Sequence, residues 1–296
     1  MAQRKVVTEH LEALNSLKSL AESFEQIAVI RMQKIRDSVL RTRDFLEELS
    51  DVYVDLKSSY EREVQDLLKH RQAGDKSLAQ VLQKSGKVLL VYLSANGKLY
   101  GEVTKKTFHL FRQDIKKPEY AKADLMIVGK AGREMYEGGG EDRPFEYFEI
   151  PDTSFEVDHV KDLMGKFLQY EKVYIYYGKF GNVVTQNSIS SSITGEDIFE
   201  TEIVSETPRE DRFIFEPTLE KIFHFFETQI MANLFTQTLL ENQLARHASR
   251  VNAMEAALIE IDKESKVYNR IKNRLKTQLK NRRQLETIAG LALWEA

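Results

Sequence analysis

Residues 213–296 read FIFEPTLEKIFHFFETQIMANLFTQTLLENQLARHASRVNAMEAALIEIDKESKVYNRIKNRLKTQLKNRRQLETIAGLALWEA, and this run decides the architecture. It holds one proline, Pro217 near its start, and one glycine, Gly290 near its end. Between them Leu219, Ile222, Phe226, Ile230, Leu234, Leu240, Leu244, Val251, Met254, Leu258, Ile261, Tyr268, Ile271, Leu275 and Leu279 recur at helical spacing. The pattern predicts one long amphipathic helix with a narrow seam of the coiled-coil kind. At 1.5 Å per residue, roughly 75 residues reach on the order of 110 Å. That is longer than an ordinary domain is wide, so the helix needs a partner along its length.

The partner lies at the other end of the chain. From Val6 to about His70 there is no Pro and no Gly, and Leu11, Leu14, Leu17, Ala21, Phe24, Ala28, Ile35, Val39, Leu46, Leu49, Tyr53 and Leu56 form a second seam. Two long amphipathic helices at opposite ends of one chain pack most simply as an antiparallel coiled coil. A larger helical bundle is the competing arrangement, but the middle of the chain is too poor in helix to complete one. The expected division is therefore a coiled-coil helix over 1–72, an α/β (Rossmann-like) domain over 73–212, and a second coiled-coil helix over 213–296.

Composition fits an exposed coil. Of 296 residues, 42% are hydrophobic and 30% charged, a low and a high share for a compact globule. The formal net charge of −3 argues against nucleic acid as the main partner, since phosphate binding wants a basic surface. There is no cysteine, hence no disulfide, no thiolate metal site and no cysteine nucleophile, which fits a cytoplasmic protein. No apolar run reaches 18 residues, so no membrane-spanning helix is expected. The N-terminus is too charged for a signal peptide.

The middle third alternates strands and helices. A short helix is expected over Ser77–Gln83, capped near Ser85-Gly86. KVLLVYLS (87–94) and ADLMIVG (123–129) read as buried parallel strands, and Phe145–Ile150 and Val173–Tyr177 as two more. Asn96-Gly97 predicts a turn with positive φ. Helices are expected over Thr104–Lys117, stopped by Pro118, over Ala131–Glu137, and over Phe155–Tyr170. Residues 178–192 suggest a hairpin or irregular β segment, and Asp197–Val204 an edge strand. Alternation of this kind implies a mostly parallel sheet.

No active site is legible. Gly129-Lys130-Ala131-Gly132-Arg133 follows a strand and opens a helix, a context suited to anion binding. It lacks the spacing of a P-loop and of GxGxxG, and reads as a strand-to-helix turn. His10, His70, His109, His159, His224 and His247 never fall three or four apart, so metal-ligand spacing is absent. Ser188, Ser190, Ser191 and Ser192 lie outside any nucleophile-elbow pattern. No catalytic residue, cofactor or metal is expected.

Five sets of residues carry a resemblance. Ser94-Ala95-Asn96-Gly97-Lys98-Leu99-Tyr100-Gly101, Val128-Gly129-Lys130-Ala131-Gly132-Arg133 and Phe213-Ile214-Phe215-Glu216-Pro217 form the first two strand turns and the approach to the last helix. Leu240-Glu241, Ala245, His247-Ala248, Arg250 and Ala253-Met254 follow, then Asn273-Arg274, Glu286 and Ala289-Gly290. In this order and spacing they resemble the gamma subunit of F-type rotary ATPases. The chain departs from the family at Lys276 and Thr277, where an Arg-Gln pair is usual, and at Lys280-Asn281, where Ile-Thr is usual. At Ala21–Ala28 it lacks the family's Ala-Met-x-x-Val-Ala pattern.

The resemblance implies a rotor shaft without an active site, turning inside a hexameric ring of nucleotide-binding alpha/beta-type subunits. It implies a small epsilon-type companion, a membrane c-type ring at the foot, and a cytoplasmic location peripheral to the energy-transducing inner membrane. The implied partner-contact residues are Arg274, Lys276, Thr277, Lys280, Arg282, Arg283 and Glu286 on the shaft and Leu291, Leu293 and Trp294 at an apolar tip. With Lys272, the basic residues suit acidic loops on the ring through salt-sensitive contacts; a solvated helix face is the plainer alternative. A static coiled-coil scaffold with an α/β head, a rotor of a repurposed motor without ion transport, and a nucleotide-binding enzyme remain competing functions.

Overall fold

The computed structural model describes residues 2–59, 87–152, 157–194 and 219–292. Two long helices, α1 (Ala2–Ser59) and α5 (Leu219–Ala292), bracket a five-stranded sheet. The strands are β1 (Val88–Leu93), β2 (Asp124–Val128), β3 (Glu146–Phe148), β4 (Lys172–Phe180) and β5 (Gln186–Ser192). Three helices lie between strands: α2 (Val103–Ile115), α3 (Lys130–Gly138) and α4 (Val157–Phe167). The expected helix at Ser77–Gln83, the edge strand at Asp197–Val204 and the Phe213–Pro217 approach fall outside the described residues.

The described chain divides into two compact units, residues 1–29 with 250–296, and residues 30–249. In the first, α1 and α5 run antiparallel. His10 packs on Tyr268 with ring centroids 4.0 Å apart, Lys18 Nζ reaches Asp262 Oδ1 at 2.8 Å, and Arg250 lies over the Phe24 ring. Rising numbers on one helix thus meet falling numbers on the other. Val7, Leu11, Leu14, Ala21 and Ala28 are buried in the seam, with Val251 and Met254 facing inward from α5. Among the described residues, two assigned to the seams depart from them: Leu17 is 52% exposed and Ile271 37% exposed. Steps of three from 11 to 14 to 17 drift around the helix, and the next buried position is Ala21, seven residues after Leu14.

The second unit is a three-layer α/β domain. Strand order is β3-β2-β1-β4-β5; β1 through β4 are parallel and β5 pairs antiparallel with β4. Side chains alternate across the central strand. Leu89, Val91 and Leu93 face a core shared with Leu163, Met164 and Phe167 of α4 and Met231, Phe235 and Leu239 of α5. Leu90 and Tyr92 face the opposite core, with Phe108, Phe111 and Ile115 of α2 and Tyr136 of α3. Burial on both faces explains why β1 and β2 read as continuous apolar runs.

Several local expectations shift. Helix α2 ends at Ile115, and Pro118 opens a 3-10 turn over Pro118–Tyr120 rather than stopping the helix itself. Strand β3 is only three residues, β4 runs on to Phe180, and the serine-rich stretch is the regular strand β5. Asn96 and Gly97 do not take positive φ; Leu99 (65°) and Gly101 (69°) do.

Candidate functional site

In an open α/β sheet of this order, ligands bind at the carboxyl ends of the strands where the order reverses, here between β1 and β4. The chain fills that position with its own helix. Residues 241–250 of α5 (ENQLARHASR) are all buried although mostly polar. Asn242, Arg246 and Ser249 fall at i, i+4 and i+7, which puts them on one face.

Each makes directional contacts with the sheet edge. Asn242 Nδ2 donates to Leu93 O at 3.3 Å, and its Oδ1 accepts from Gly178 N at 3.1 Å, so one amide ties β1 to β4. Arg246 Nη1 donates to Ser94 O at 3.0 Å and to Asp152 Oδ1 at 2.7 Å, and its guanidinium lies 5.0 Å from the Tyr100 ring centroid. Ser249 Oγ accepts from Val103 N at 3.3 Å at the start of α2.

Asp152 is the hub beneath Arg246. Its carboxylate accepts from Asn96 N at 3.0 Å, Gly97 N at 2.7 Å and the Tyr100 hydroxyl at 3.3 Å. Burial alone pushes this carboxyl up, but the Arg246 guanidinium and the two backbone N–H groups outweigh it and hold it below the ordinary aspartate value. A small cavity touches the joint, lined by Leu93, Ser94, Gly129, Asp152, Asn242 and Arg246 among others.

Glycines let the backbones close in. At Gly101 a Cβ would sit 2.5 Å from Ser249 O, and at Gly129 (φ 99°) it would sit 2.9 Å from the Ala95 backbone. Gly129 also sets the turn into α3, whose first N–H groups are taken: Lys130 N donates to Asn96 Oδ1 at 3.0 Å and Ala131 N to Ala95 O at 2.8 Å. The anion-binding geometry weighed for this turn is therefore occupied by acceptors of the chain, which supports the strand-to-helix reading.

Around the helix from the sheet-facing strip, Arg43 of α1 holds Glu241. Arg43 Nε and Nη2 donate to Glu241 Oε1 at 3.0 and 2.6 Å, and Gln237 Nε2 adds a third bond at 3.2 Å. Glu241 is 2% exposed.

The proposed partner-contact residues lie elsewhere. Arg274, Lys276, Thr277, Lys280, Arg282, Arg283 and Glu286 are all exposed on α5. Arg282 Nε is bonded to Glu286 Oε1 at 3.0 Å and Thr277 Oγ1 to Asn273 O at 3.0 Å, both within the helix. Leu291 lies within α5, and Leu293 and Trp294 fall outside the described residues. Among the described residues no cluster of His, Asp or Glu could hold a metal, and no helix is long and apolar enough to cross a membrane. The sequence missed Asn242, Arg246, Ser249 and Asp152 as site residues. The available signal was a polar strip at i, i+4, i+7 inside the Leu240–Met254 motif, together with two glycine turns that converge on it.

Residues 242–249 of the C-terminal helix thus cover the carboxyl edge of the α/β sheet, where open sheets of this kind bind ligands. The family model described as ATP synthase matches residues 3–286, and the chain belongs to the ATP synthase gamma-chain family. The ATP synthase gamma chain of Cytophaga hutchinsonii is 22% identical over 308 residues, covering 98% of both chains. That of Protochlamydia amoebophila is 21% identical, again over 98% of each. Among solved structures, a chain of the Euglena gracilis mitochondrial ATP synthase superposes with a TM-score of 0.63 at 15% identity, covering 98% of this chain and 94% of that one. A chain of the Tetrahymena thermophila central stalk and c-ring gives 0.56 at 18% identity, covering 80% and 99%. Membership places the chain among the non-catalytic, central-stalk subunits of that complex.

Proposed function

We propose that this chain is the rotor shaft of a rotary ATPase, with the division 1–72, 73–212 and 213–296 into helix, α/β domain and helix. The coil turns inside a hexameric ring of alpha/beta-type subunits, and the α/β domain meets an epsilon-type subunit and a membrane c-type ring. An asymmetric shaft contacts three equivalent catalytic sites differently and so favours a different conformation in each, which is coupling by differential contact. The observation that carries this reading is the match along nearly the whole chain, helices included. Arg274, Lys276, Lys280, Arg282 and Arg283 supply the basic surface that faces the ring, joined by Thr277 and Glu286, and Leu291, Leu293 and Trp294 seat the tip. The location that follows is the cytoplasmic face of the energy-transducing membrane.

The departures at Lys276, Thr277, Lys280 and Asn281 favour a second reading, a repurposed rotor that serves a motor without ion transport. Affinity purification from the native cells separates the two. Catalytic ring subunits together with a membrane ring support an ion-coupled machine, and ring subunits alone support the repurposed motor. A lone dimer without ring subunits contradicts both and leaves a static scaffold.

A further inference from the structure

We propose that the buried polar strip of α5 is a torsional key that stops the helix from rolling in the edge of the sheet, with Arg246 and Asp152 as its positioning residues. The inference rests on the rotor reading, because only a rotor loads this joint in twist.

The physical case begins with an oddity of residue choice. A helix segment buried on all sides is ordinarily apolar, yet Glu241, Asn242, Arg246 and Ser249 are at most 5% exposed. Apolar residues of similar volume would hold such a segment as firmly, since a buried ion pair is often no more stabilising than the hydrophobic packing that replaces it. Apolar contact is non-directional and yields to small rotations. Hydrogen bonds do not. A roll of about 20° moves an atom at a radius of ~5 Å by roughly 2 Å, which carries contacts of 2.7 to 3.3 Å out of hydrogen-bonding distance.

The contacts are arranged to oppose rotation both ways. Asn242, Arg246 and Ser249 meet β1, its following turn, β4 and α2, while Glu241 meets Arg43 on a line about 100° further round the helix. Arg246 is the stiffest of these stops. Its planar guanidinium donates from Nη1 to both Ser94 O and Asp152 Oδ1 and lies against the face of Tyr100, so three contacts converge on one group. Asp152 in turn is immobilised by two backbone N–H groups of the turn after β1.

The test uses the assembled complex purified from its own cells, with the ring fixed to glass. A gold nanorod is attached to the chain through Val184→Cys; Val184 is 80% exposed and the chain has no native cysteine. Rotation with ATP is recorded first, then the ring is arrested with ADP and the angular variance of the rod is measured. In the double variant Asp152→Asn/Arg246→Met the amide still accepts the turn N–H groups and Met fills the space, so assembly persists. Variance is expected to rise above the native value, because the stiffest stop is removed while those at Asn242, Ser249 and Glu241 remain. Arg246→Lys keeps the charge and one donor nitrogen but loses the planar group that lies against Tyr100, and is expected to fall between; it carries the test alone if the double variant does not assemble. Unchanged variance in the variants that assemble overturns the key. A native rod that never turns with ATP overturns the rotor reading, and the key with it.

Discussion

Arg246 and Asp152 form an ion pair whose two partners differ in how much else holds them. Asp152 keeps three further donors, whereas Arg246 has one backbone carbonyl and an aromatic face. Arg246→Ala strands a buried carboxylate and is expected to cost about 3 kcal/mol in chemical denaturation. Asp152→Asn is expected to cost less and to change the acid limb. The folded aspartate lies below its ordinary value, so its contribution is present above about pH 4 and is lost as pH falls through the folded value. The native chain should therefore lose stability on acidification in that window, and the asparagine variant should lose less. Gly101→Ala meets both a positive φ of 69° and Ser249 O; a thermal midpoint lowered by at least several degrees is expected. None of these roles was legible from residue type. A polar residue on a helix reads as solvent-facing, and nothing in the neighbourhood of Asp152 marks it as the acceptor for a turn more than fifty positions earlier.

At the scale of elements, long periodicity was the readable part. The two helices follow from helical periodicity, and strands β1, β2 and β4 from short apolar runs rich in β-branched and aromatic residues. Strand β5 (QNSISSS) was only half visible because one apolar residue, Ile189, gives no alternation, and pairing with β4 makes it a strand. At 241–250 every residue of α5 is buried, the seam residue Leu244 among them, so burial there extends beyond the narrow apolar stripe that describes a helix with one partner. Within the coil the seam and the surface pairs differ in weight. Leu14→Ala, at a position 4% exposed, is expected to cost about 3 kcal/mol. Asp262→Asn removes an exposed partner of Lys18, and a loss much smaller than that of Leu14→Ala is expected, shrinking further in high salt. Denaturant titrations of the two variants in low and high salt check both.

For the whole molecule, the resemblance read from scattered motifs becomes spatial. The turns after β1 and β2 and the Leu240–Arg250 stretch, far apart in sequence, meet at one joint. The partner surface is a different matter, since exposure on α5 shows only that those side chains are available. Replacing Lys276, Lys280 and Arg283 together by Glu is expected to weaken ring assembly at low salt and to have less effect at high salt, read by co-purification of ring subunits. The most direct test of the rotor account is to watch a probe on this chain while the purified, surface-held complex hydrolyses ATP. Continuous unidirectional turning, in steps that divide the circle by the number of catalytic sites, is the predicted result. Robust hydrolysis with the probe motionless would contradict it.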